Sequence, residues 1–261
     1  MAVVTNLMAE ENRSKIIISG EKQIKLKKDG TPKMTRSNKK DGVKSEVYAI
    51  KRKEDIAAML DIYDLHIAEA TTECSRYKAM RDRLLFKIGT NVGLRIGDLL
   101  KTKFSFYMGV DRFGEFYFKD DDYLKPEKTR ATGKYVDITF NDSVRRALLE
   151  FMEQYPLRSP EDLDKYLFGN NVNAQKPISS TWAWESLKKA AEEAGITYNV
   201  GTHSMRKTFG YHLWKDSEDK TYTLVLLQGI FRHTSPAITM AYIGLSKEET
   251  AKAFKSLNLG F

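Results

Sequence analysis

The stretch from about Phe104 to Phe140 most constrains the fold, because there a chain otherwise patterned for helix changes period. Aromatic and β-branched residues alternate in Glu115-Phe116-Tyr117-Phe118 and in Tyr135-Val136-Asp137-Ile138-Thr139-Phe140, the pattern of strands that bury one face. Between them, Tyr123 to Lys134 holds Pro126, Gly133 and several polar residues and reads as the turn region of a hairpin. A small antiparallel sheet of about three strands is expected.

On either side the apolar residues recur at three and four. Ile56, Met59, Leu60, Tyr63 and Ile67 predict a helix from Lys53 to about Ala70, and Tyr77, Met80, Leu84, Leu85 and Ile88 a second from about Ser75 to Asn91. Gly93 breaks it, and Arg95 opens a short helix whose Leu99 and Leu100 turn inward. After the strands, Asn141-Asp142 cap a helix carrying Val144, Ala147, Leu148, Phe151 and Met152. Ser179 or Ser180 caps another that runs to Ala194, with Trp182, Trp184 and Leu187 expected in the core. Further helices follow His203 and span about Thr221 to Phe231. Ser235-Pro236 then caps a short one in which Tyr242 falls late. Ser246-Lys247-Glu248-Glu249 reads as a capping box for a terminal amphipathic helix over about 246–257.

Hydrophobic residues make up 41% of the 261, enough to fill a core, so disorder throughout is excluded. No apolar run is long enough to cross a bilayer and no signal-peptide pattern opens the chain. A single cysteine, Cys74, excludes an internal disulfide and is expected to be buried or half-buried. The net charge of +8 points to a polyanionic partner. From Arg13 to Lys53 there are 14 Lys or Arg against 4 Asp or Glu, and residues 1–12 add two acids, so everything after Lys53 is neutral in total. A flexible basic arm is expected over 1–47, with a small hairpin around Asp29-Gly30 as the alternative.

Three fragments call for chemistry: Gly93-Leu94-Arg95-Ile96-Gly97-Asp98, Gly201-Thr202-His203-Ser204-Met205-Arg206, and Phe231-Arg232-His233-Thr234 leading to Tyr242. Their order is an arginine, then His-x-x-Arg, then a histidine nine residues before a tyrosine. In that order, and with strand pattern in between, the chain resembles the catalytic domain of the tyrosine recombinases, the phage integrase family, over about residues 48–261. The resemblance implies a mainly α fold with a small antiparallel β-sheet, an α+β catalytic domain. It implies double-stranded DNA as partner, cut and rejoined through a 3'-phosphotyrosyl intermediate with no metal and no cofactor. It further implies four protomers on two duplexes, a monomer or weak oligomer when free, no membrane, and a cytoplasmic, nucleoid-associated location. The helix at 246–257 would be exchanged with a neighbour or packed on its own domain. Rival readings are a type IB-like topoisomerase and a catalytically idle DNA-binding regulator.

The chemistry needs these residue types. Two guanidinium forks, Arg95 and Arg206, suit the nonbridging oxygens of a phosphodiester and the charge that builds on them during displacement. Tyr242 is the candidate nucleophile, which stores the broken bond as a phosphotyrosine. By resemblance, His203 takes part in proton transfer at the tyrosine, His233 hydrogen-bonds the phosphate, and Asp98 orients the site from behind. A hairpin lysine protonates the leaving sugar oxygen. Lys128 is the best match, with Lys125 and Lys134 as competitors. Lys51, Arg52 and Lys53 form a basic edge and, with Arg232, are the candidate DNA contacts. Two departures stand out. Arg232 occupies the place where the family usually has glycine before the final histidine. The 47 residues ahead of the catalytic part are too few for the family's helical core-binding domain, which points to a minimal recombinase or a truncated copy.

Overall fold

The computed structural model of the protein describes residues 16–19, 22–25, 46–126, 135–245 and 255–256. Two units divide the chain, Met1–Ser45 and Glu46–Phe261. In the first, strands β1 (Ile16–Ser19) and β2 (Lys22–Lys25) pair antiparallel, Ile16 opposite Lys25 and Ser19 opposite Lys22. This hairpin sits ahead of the Asp29-Gly30 turn expected from the sequence, which lies outside the described residues.

The second unit is built around its longest helix. Helix α1 (Lys53–Ala68) leads to α2 (Glu73–Val92), started by a capping box in which Thr72 Oγ1 accepts from the Ser75 amide at 3.1 Å and Ser75 Oγ accepts from the Thr72 amide at 3.0 Å. The predicted apolar face of α2, with Tyr77, Leu84, Leu85 and Ile88, is buried. Gly93 ends it at φ 61°, and a Cβ there would lie 2.4 Å from the Phe209 ring, so both the backbone conformation and the close packing demand glycine. Arg95 caps the short α3 (Ile96–Leu99).

The strand region departs from expectation. Phe104–Tyr107 is a helical turn, α4, that buries Phe104 and Tyr107 three apart. Four strands follow as two separate hairpins in place of one three-stranded sheet: β3 (Met108–Val110) with β4 (Phe116–Phe118), and β5 (Asp121–Leu124) with β6 (Val136–Thr139). The chain bends between the hairpins at Asp120, beside Lys119, whose ammonium donates to the Ser105 carbonyl and to Asp122, both at 2.7 Å. In the second hairpin Asp121 faces Thr139 and Leu124 faces Val136. The connection over 127–134 lies outside the described residues.

Helix α5 (Asp142–Met152), capped by Asn141, buries the predicted Val144, Ala147, Leu148 and Phe151 against the main core. Helix α6 (Ser180–Glu193) corrects a second expectation. Its buried face is Ala183, Leu187, Ala190 and Ala191, and Trp182 and Trp184 flank that stripe at 41% and 42% exposure. Cation contacts occupy them instead, Lys78 and Arg81 at Trp182 and Lys188 at Trp184. Cys74, in the first turn of α2, is likewise exposed and not buried.

Three helices close the unit: α7 (Thr202–Asp216), α8 (Lys220–Phe231) and α9 (Pro236–Ile243). They enclose a second apolar cluster of Ala49, Tyr211, Leu227, Phe231, Ile243 and Leu245. The segment before α1 is tied across them. The Ile50 amide donates to Thr208 Oγ1 at 2.8 Å, and His212 Nε2 lies 3.0 Å from the Ile50 carbonyl. Of the expected terminal helix, only residues 255 and 256 are described, and they are helical. Among the described residues no helix is long and apolar enough to cross a membrane.

Candidate active site

The C-terminal end of α8 gathers side chains from three distant parts of the chain. Arg206, in the second turn of α7, donates through Nη1 to the Gly93 carbonyl and through Nη2 to the Ile230 carbonyl at 3.5 Å. Arg95, at the start of α3, donates through Nη2 to the Phe231 carbonyl at 3.4 Å. Both cations thus meet the carbonyl end of one helix, where its dipole offsets part of their mutual repulsion. The fully buried Phe231 ring is the floor. The Arg206 guanidinium lies 4.4 Å above its centroid, and the rings of His233 and Tyr242 pack edge-on or tilted at 5.4 and 5.2 Å. His233 and Tyr242 touch each other at 5.0 Å, and the Lys207 ammonium lies 5.2 Å from the Tyr242 ring.

Charge and burial act against each other here. Burial and the neighbouring Arg95 lower Arg206 to about 10, with Asp98 and Tyr242 working the other way, so it stays protonated at neutral pH. Burial raises the Tyr242 hydroxyl above its ordinary value, while Arg206, within hydrogen-bonding reach, and Arg95 pull it back. Burial and then both guanidiniums lower His233, which is therefore neutral at pH 7. Its Nδ1 is engaged by the buried Thr239 hydroxyl at 3.1 Å, which leaves Nε2 for a ligand.

The structure therefore brings together Arg95, Arg206, His233 and Tyr242, with the buried Asp98 close enough to favour the Arg206 cation. His203 lies exposed in the first turn of α7, three residues before Arg206 and so on the same side of the helix. Lys128 and Lys134 lie outside the described residues; Lys125 is described, 5.8 Å from the Tyr135 ring. Lys51 turns inward, its ammonium 3.0 Å from the Gly244 carbonyl just past Tyr242 and over the Tyr211 ring. Arg52 lies near the exposed Glu54 and the half-buried Asp55, and Lys53 near Asp216 at the surface. Arg232 reaches back to the hairpin, Nη2 to the Tyr135 carbonyl at 2.8 Å.

The sequence model of the phage integrase family matches residues 62–249, well over half of the chain. The chain belongs to the phage integrase family. The probable integrase/recombinase YoeC of Bacillus subtilis is 33% identical to it over 178 residues, 68% of this chain and 85% of YoeC. Tyrosine recombinase XerD of Corynebacterium glutamicum is 24% identical over 179 residues, 67% of this chain and 52% of XerD. Among solved structures, XerA recombinase matches 84% of this chain and 67% of its own with a TM-score of 0.54 at 17% identity. XerH bound to its palindromic difH substrate, a post-cleavage complex, matches 82% of this chain and 54% of its own with a TM-score of 0.53 at 20% identity. Those two likenesses are of fold, a mainly helical tyrosine recombinase catalytic domain with small antiparallel sheets.

For this integrase-family chain, motif reading missed the parts that hold the motif in place. Phe231 was visible only as the first letter of a fragment, and Thr239 as an ordinary helix residue. The Gly93 carbonyl carries no side-chain signal at all.

Proposed function

We propose that this protein cuts and rejoins DNA strands in site-specific recombination, with Tyr242 as the nucleophile. The observation that carries the reading is the convergence at Phe231 of Arg206 and Tyr242 on its ring and Arg95 on its carbonyl. A scissile phosphodiester between Arg95 and Arg206 receives guanidinium donors on its nonbridging oxygens, which stabilise the charge it gains in the transition state. His233 Nε2–H donates to the same phosphate, in the tautomer whose Nδ1 accepts from the Thr239 hydroxyl.

In the cleavage step the Tyr242 Oη–phosphorus bond forms and the bond from phosphorus to the 5' sugar oxygen breaks. The phenol proton passes to His203, and the departing oxygen takes a proton from the hairpin lysine, Lys128. Rejoining is the reverse, so no nucleotide is consumed. Burial holds the resting phenol protonated, so attack on a bound phosphate needs a base to take the phenol proton.

A nicked suicide duplex tests this. A random-sequence library of such duplexes, sorted for covalent protein, yields the site and the cleaved phosphate together. The wild-type chain should be trapped as a 3'-phosphotyrosyl adduct and Tyr242→Phe should form none; an adduct on the phenylalanine variant refutes the assignment. Relaxation of a supercoiled plasmid lacking the selected site would instead favour topoisomerase action.

A further inference from the structure

We propose that Arg232 is a positioning residue: it holds the β5–β6 hairpin, and with it the lysine that protonates the leaving oxygen, against the α8–α9 corner that carries His233. The inference rests on the proposed cleavage reading and names a residue which that reading does not use.

Its backbone supplies the first observation. Arg232 sits at φ 55° and ψ 48°, just past the end of α8. Its amide donates to the Gly229 carbonyl at 3.1 Å and that of His233 to the Gln228 carbonyl at 3.0 Å, the paired bonds that close a helix through one left-handed residue. Glycine adopts that conformation without strain, and a side chain does not. Among the described residues only Ala174 and Arg232 do so without being glycine. A residue kept in a disfavoured conformation beside a reactive cluster points to work done by its side chain.

The side chain supplies the second observation. Arg232 Nη2 donates to the Tyr135 carbonyl at 2.8 Å, across 97 positions of sequence. Tyr135 directly precedes β6, whose Val136 faces Leu124 at the end of β5. The Tyr135 ring packs edge-on against Tyr123 at 5.2 Å and under the Lys125 ammonium at 5.8 Å, which ties the two strands together at the base of the hairpin. All three candidate lysines, Lys125, Lys128 and Lys134, fall between Leu124 and Tyr135. Arg232 fastens the described end of that stretch, at Tyr135. The backbone of the same residue directs His233 toward its bond with Thr239. One side chain and one turn therefore register the proton donor and the phosphate ligand to each other.

The leaving group provides the test. Duplexes carrying the selected site are made with oxygen or with sulphur bridging phosphorus to the 5' carbon of the scissile link. A departing thiolate is stable without protonation, so it bypasses the general acid and nothing else. Single-turnover cleavage at saturating protein is compared for wild type, Arg232→Gly, Arg232→Lys and Lys128→Ala. Arg232→Gly removes the anchor and relaxes the turn, so its thermal midpoint should match or exceed wild type. On the oxygen substrate it should lose about 10- to 100-fold in rate, the cost of misplacing a catalytic group by about an ångström. It should recover to within about twofold of wild type on sulphur, and Arg232→Lys should keep part of the oxygen rate. A deficit that persists on sulphur, or one that appears in DNA affinity and not in rate, overturns the inference. Lys128→Ala separates the two claims. If it is not rescued by sulphur while Arg232→Gly is, the donor is another hairpin lysine and the positioning role stands; if neither is rescued, both fall.

Discussion

Adding one methyl group under the site should damage it more than it damages the fold. Gly210 lies in α7 against the floor of the cluster, and a Cβ there would lie 2.7 Å from Phe231 Cζ and 2.8 Å from Ile243 Cγ2. Both side chains are fully buried. To reach an ordinary separation of 3.4 Å the closer contact must open by about 0.7 Å. Overpacking of this kind costs about 1–3 kcal/mol, and alanine returns about 1 kcal/mol of helix propensity. Gly210→Ala should therefore lose about 1 kcal/mol net, seen as a drop of roughly 2–4 °C in Tm. Because Arg206, His233 and Tyr242 all rest on Phe231, its displacement is passed to all three. Single-turnover cleavage of the suicide duplex should fall about 10- to 100-fold. Gly229→Ala on α8 is the control. Nothing lies within 4 Å of its added Cβ, so it should gain about 0.5–1 kcal/mol and cleave normally. A Gly210→Ala protein as stable and as active as wild type would refute the packing argument.

Three further outcomes are expected. Thr239→Val keeps the shape of a buried residue and removes the hydroxyl that engages His233 Nδ1. It should cost about 1–2 kcal/mol and slow cleavage, with the larger loss in rate if Thr239 orients the imidazole. His233 itself should give stability a pH slope. Its folded value lies below the ordinary 6.5, so as pH falls through that value the unfolded chain binds the proton first and stability is lost. Denaturation midpoints measured from about pH 7 to 5 should show that fall, and it should be absent in His233→Asn. Finally, deleting residues 1–47, where the surplus positive charge lies, should weaken DNA binding and flatten its dependence on salt; an unchanged salt slope makes the arm a bystander.

The sequence by itself determined the longer helices and the residue types of the cluster. The stripes of α2 and α5 are periodic because one face of each must leave water, and the Ser235-Pro236 cap sets α9 so that Tyr242 falls late in it. Arg95, Arg206, His233 and Tyr242 were legible because the proposed chemistry demands those residue types, and their order stands in the chain. Tertiary structure decided what surrounds them. Whether Trp182 is core or surface depends on which side of α6 meets another helix, and Phe104 is buried from a helical turn and not from a strand. The inward turn of Lys51, the Gly93 carbonyl beneath Arg206 and the Phe231 floor are contacts between residues far apart in the chain. Local pattern records which face of a segment avoids water, and it holds no record of which distant backbone atom will meet that face.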